Sequence, residues 1–88
     1  MKHFKHYSHM YTPEQIQLAN EIAERLEDPA ALTQFLRYAQ EFPHDFLRQA
    51  LNKACSTPDA QVLKSRAAIF VNSVNQYKRF GGYGHSRN

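Results

Sequence analysis

The chain has 88 residues, 42% hydrophobic and 22% charged, with a formal net charge of +3. That length leaves no room for a second hydrophobic core, and that mixture excludes a disordered tail. No run approaches the ~18 apolar residues of a membrane-crossing helix, no signal-peptide pattern is visible, and the single Cys55 cannot close an internal disulfide. A cytoplasmic protein without a membrane partner is expected.

Residues 1–11 mix Lys, His and aromatics without apolar periodicity and read as a flexible arm. The Ser-His-Met ending at Met10 resembles a cloning-site scar, so part of the arm is read as vector-derived. His3, His6 and His9 are spaced to meet an ion on a helix, but no thiolate or carboxylate lies near them. No metal site and no cofactor are expected.

The domain proper is read as residues 12–80. Thr12-Pro13-Glu14-Gln15 carries a capping hydroxyl, a proline at the first helical position, a first-turn acid and a capping-box Gln. Ile16, Ala19, Ile22, Ala23 and Leu26 then mark one face of a first helix, and Glu21 and Arg25 form an i,i+4 pair. Asp28-Pro29 repeats the capping device for a second helix, whose inner face is Leu32, Phe35, Leu36 and Ala39. Pro43 ends it, because the residue before a proline avoids helical dihedrals.

A third helix follows, with Phe46, Leu47, Ala50, Leu51 and Ala54 as its stripe and Asp45 near its positive end. Ser56-Thr57-Pro58-Asp59 is read as another cap-and-proline start, for a short helix or turn through Leu63. Ser65 then caps the most apolar run, in which Ala67, Phe70, Val74 and Tyr77 recur at helical spacing with Ile69 and Val71 beside them. This last helix is expected to be a buried central element. Gly81 and Gly82 end it, and residues 81–88 read as a flexible tail. No β-alternation occurs, so the predicted fold is all-α, a compact bundle or orthogonal array of four to five short helices.

Charge is uneven along this frame. Residues 1–45 hold Lys2, Lys5, Arg25 and Arg37 against seven carboxylates, a balance of −3. Residues 46–88 hold seven cations against Asp59 alone, a balance of +6. Such asymmetry suits a polyanionic partner, although it also suits a surface that only keeps the chain in solution. Lys53, Lys64, Arg66, Lys78, Arg79 and Arg87 are the candidate phosphate contacts, and Ser65 with its flanking cations the candidate anion site at a helix start. Tyr83 in the Gly-rich tail is a candidate for stacking on bases, as are Tyr7, Tyr11, Tyr77 and Phe80.

Catalysis finds no support. Cys55 and His44 fall at opposite ends of the third helix, about 16 Å apart, and cannot form a thiol–imidazole pair. No P-loop, dinucleotide fingerprint, catalytic carboxylate pair or zinc spacing is present.

Two stretches, LTQFLRYAQEFPHDFLRQALNKA from Leu32 and SRAAIFVNSVNQY ending at Tyr77, resemble the helical C-terminal modules of bacterial replication-initiation and primosome proteins of the DnaD type. In that family the last helix commonly carries Tyr, Ile and Trp at four-residue steps; Phe70 and Val74 take the first two places and Lys78 stands where Trp is expected. The resemblance implies DNA binding in a replication-accessory or mobile-element setting. The expectation is therefore a non-enzymatic nucleic-acid-binding module, with DNA favoured over RNA. The alternative is a protein-interaction adaptor, as a homodimer or within a larger complex.

Overall fold

The structure is a computed structural model that describes residues 10–80. Within them the chain is all-α: helices α1 (Pro13–Arg25), α2 (Leu32–Glu41), α3 (His44–Ser56) and α4 (Arg66–Arg79), with 3-10 turns at Pro29–Ala31 and Asp59–Gln61 and no strand. None of these helices is long and apolar enough to cross a membrane. The chain divides into two compact units, the first ending at His44 and the second beginning at Asp45. The readings placed on residues 1–9 and 81–88, including the histidine triplet and the glycine-rich tail, lie outside the described residues.

The first unit is the α1–α2 hairpin. Thr12 forms the capping box the sequence spells out: its hydroxyl accepts from the Gln15 N–H at 3.1 Å, and the Gln15 side chain accepts from the Thr12 N–H at 2.9 Å. Leu18, Ile22, Phe35 and Leu36 have no exposed surface and form the core of the pair. Gln40, near the end of α2, donates to the Met10 carbonyl ahead of α1 at 2.9 Å, which sets the two helices antiparallel. Glu21 and Arg25 approach to 4.0 Å as their spacing predicts.

The turn out of α1 is a Schellman motif. The Asp28 N–H donates to the Ala23 carbonyl and the Glu27 N–H to the Glu24 carbonyl, with Glu27 itself left-handed at φ 56°. Consuming the Asp28 backbone in this way corrects the sequence reading. Asp28 makes no side-chain cap, Pro29 opens only a 3-10 turn, and α2 begins at Leu32 without a capping side chain. Pro43 acts as expected, since Phe42 is extended and α2 stops at Glu41. The His44 Nε2–H donates to the Ala39 carbonyl at 2.8 Å and satisfies one of the carbonyls exposed by that stop.

The second unit is the α3–α4 hairpin. Phe46 at the start of α3 stacks on Tyr77 at the end of α4, with ring centroids 4.2 Å apart. Arg66 at the start of α4 reaches the Thr57 carbonyl just beyond the end of α3. These two contacts fix an antiparallel pair. Ser65 caps α4 as predicted, accepting from the Ala68 N–H at 3.0 Å. The short turn expected after Pro58 is present at Asp59–Gln61, but Ser56 and Thr57 do not cap it. Their hydroxyls turn back onto the Asn52 and Lys53 carbonyls at 2.8 Å, because the last turn of α3 offers unpaired acceptors and a three-residue turn offers few donors.

Burial along α4 is narrower than its composition suggests. Phe70 and Val74 are fully buried, whereas Ala67, Ile69, Val71 and Tyr77 keep partial exposure. Phe70 and Val74 are one turn apart and share a stripe; Val71 lies about 100° round the helix from Phe70 and leaves that stripe.

A non-glycine residue in the left-handed region costs about 1 kcal/mol or more. Glu27→Gly is expected to raise stability by roughly 0.5–1 kcal/mol, a few degrees in Tm for a chain of this size. A thermal melt followed by circular dichroism checks this, and an unchanged or lower midpoint would mean that Glu27 carries no strain.

Candidate functional site

The same periodicity appears on both helices of the second unit. Phe46, Gln49, Ala50 and Lys53 follow one another at three- and four-residue steps on α3, and Ser73, Gln76, Tyr77 and Phe80 do so along α4 and its cap. These two rows face each other across a groove of about 360 Å³. The Phe46–Tyr77 stack forms part of its wall, Lys53 lines one side, and Phe80 stands at its end with 63% of its surface exposed. The Phe80 backbone is anchored, its N–H donating to the Gln76 carbonyl at 3.0 Å. No carboxylate is among the described residues that line the groove.

The candidate cations fall into two groups at opposite ends of α4, whose 14 residues span about 20 Å. Lys78 and Arg79 occupy the last turn and are exposed, where they also complement the helix dipole. Lys53 shares the groove with Gln76, Tyr77 and Phe80, the α4 residues flanking Lys78 and Arg79. Lys64 is exposed at the opposite end, just ahead of α4. Among the described residues, none of Lys53, Lys64, Lys78 and Arg79 pairs with a carboxylate.

Arg66 is different. Its Nη2 donates to the Thr57 carbonyl at 2.6 Å and to an Asp59 carboxylate oxygen at 2.7 Å. Ser65 spends its hydroxyl as acceptor on the helix cap. The anion site read from Lys64, Ser65 and Arg66 is thereby reduced: one cation already holds a carboxylate and only Lys64 is uncommitted. Tyr83 and Arg87 lie outside the described residues.

Tyr77 packs on Phe46 and lines the groove, while Phe80 is the aromatic left open. Gln49 and Gln76 were not singled out by the sequence; their only signal is that they share a face with Phe46 and with Tyr77. Cys55 is half-buried on α3, and the His44 ring is occupied with Ala39, so no thiol–imidazole pair forms. No cluster of three or more metal-ligating side chains occurs among the described residues.

No family model matches the chain, and no curated protein or solved structure matches it either.

Arg66 replaced by Ala leaves the Thr57 carbonyl without its donor and is expected to cost about 1–2 kcal/mol; the Asp59 pair adds little because that carboxylate is 93% exposed. Lys64→Ala should stay within about 0.5 kcal/mol of the parent. Urea unfolding of the two variants measures the difference, and equal stabilities would show that the Arg66 contacts do not hold the hairpin.

Proposed function

We propose that the α3–α4 hairpin is a nucleic-acid-binding module, without catalytic activity, that holds the phosphate backbone through Lys53, Lys78 and Arg79, with Lys64 extending the contact along α4. The observation that carries this is the separation of charge between the two units. From Asp45 to Phe80 six cations stand against Asp45 and Asp59, a balance of +4, whereas from Met10 to His44 Arg25 and Arg37 stand against six carboxylates, a balance of −4. A polyanion meets attraction at one unit and repulsion at the other, so it is steered to α3 and α4. Contacts of this kind position the module without reading base sequence. The resemblance of Leu32–Tyr77 to DnaD-type modules supports DNA over RNA and a replication or mobile-element accessory role.

The same charge opposition favours a second reading, in which the acidic unit of one copy meets the basic unit of another in an adaptor. Light scattering after size exclusion would reveal such a dimer, and a dimer without oligonucleotide binding would transfer the role to protein interaction.

Four phosphate contacts on duplex DNA predict an affinity loss of roughly 100-fold between 50 and 200 mM salt. Replacing Lys53, Lys78 and Arg79 together by Ala should flatten the log–log salt slope by about 3 and weaken binding to every oligonucleotide alike. Fluorescence polarisation with labelled oligonucleotides tests both, and binding that ignores salt and the triple substitution would falsify the proposal.

A further inference from the structure

We infer that the groove between α3 and α4 accepts one unstacked base of a single strand, seated against the Phe80 ring, so that the module prefers single-stranded to duplex nucleic acid. This inference rests on the nucleic-acid reading above and adds to it the form of the ligand.

Three features lead to it. Phe80 is a large aromatic ring with 63% of its surface open, carried on a backbone held by the last turn of α4 rather than on a free loop. An open ring beside cations is the arrangement on which bases stack in single-strand binding, since every base has a π-face whatever its identity. The groove at its side is open to solvent and about 360 Å³, near the lower end of the ~300–1,000 Å³ of small-ligand sites, and so suits a nucleotide-sized group. Its lining combines the Phe46 and Tyr77 rings with the exposed Gln76, whose amide can both donate to and accept from a base edge.

Charge selects this occupant over an uncharged apolar one. Lys53 is in the groove wall, Lys78 and Arg79 precede Phe80 directly, and no described lining residue is acidic. A base on Phe80 carries its phosphates outward to Lys78 and Arg79, with Lys53 further along the groove. In a duplex the base faces are stacked on one another and closed to a protein ring, so duplex DNA can use the cations but not Phe80. The groove thus adds affinity only where bases are already free.

The test uses the full chain with a labelled oligothymidine and a duplex of equal length. Phe80→Ala is expected to weaken single-strand binding by about 5- to 150-fold and duplex binding by less than about 2-fold, since a base–aromatic stack is worth that much and the cations remain. Because the chain contains no Trp, Phe80→Trp places a unique emitter at the proposed contact. It should bind the single strand at least as well as the parent, with its emission quenched by the single strand but not by the duplex.

Equal loss on both ligands, or unchanged Trp emission at saturating single strand, overturns the base site while leaving the phosphate contacts standing. Absence of binding to either ligand by the parent chain overturns both. Circular dichroism melts of both variants confirm that an exposed position has been changed without loss of the helices.

Discussion

The second unit depends on an antiparallel hairpin pinned at its two ends by unlike interactions. At one end the Phe46 and Tyr77 rings stack with their planes 28° apart; at the other, Arg66 grips the Thr57 carbonyl and Asp59. Phe70 and Val74 of α4 and Leu47, Leu51 and Ala54 of α3 are buried. Burial of this kind is non-directional and tolerates sliding of one helix along the other. The rings and the guanidinium are directional, and they set the antiparallel register that places Phe46 beside Tyr77 and carries Gln49 and Lys53 past Gln76 and Ser73 towards the start of α4.

This division of labour explains why Arg66 behaves unlike the other basic residues. A guanidinium can serve two acceptors at once in a fixed plane, which an ammonium group cannot do as well. At the start of α4 it ties the helix to the turn following α3, and Asp59 offsets its charge. The cations left for a partner are then Lys53, Lys64, Lys78 and Arg79, on long exposed stems. Holding the scaffold and meeting the solvent fall to different residues of similar charge, a distinction visible only in the pairing of each.

Much of the architecture was legible in the sequence because helix starts are written locally. Thr12 and Ser65 act within four residues of themselves, so their caps could be read without knowing any tertiary structure. Asp28, Ser56 and Thr57 have the same chemistry but do not cap the turns that follow them, because what they do depends on the helix that precedes them. The Schellman turn after α1 takes the Asp28 backbone, and the carbonyls ending α3 take the Ser56 and Thr57 hydroxyls. Polar side chains between two helices can serve either one, and spacing alone does not say which. The groove was illegible for a related reason. Each of its rows is an unremarkable helical face, and only the phase of α4 relative to α3 makes them a site.

Position along α4 also separates what a phosphate can use from what a base can use. The start of the helix presents the positive end of its dipole, but the Ser65 hydroxyl and the Arg66 guanidinium are already engaged there. The end of the helix has a negative dipole, which Lys78 and Arg79 offset. An anion approaching that end is therefore held by side-chain charge and not by the backbone, and long side chains hold phosphate loosely enough to follow a strand whose backbone bends. The Phe80 backbone is fixed to the last turn through Gln76. Exposed cations beside a ring on an anchored backbone are what the proposed single-strand ligand, with flexible phosphates and flat, separable bases, would require.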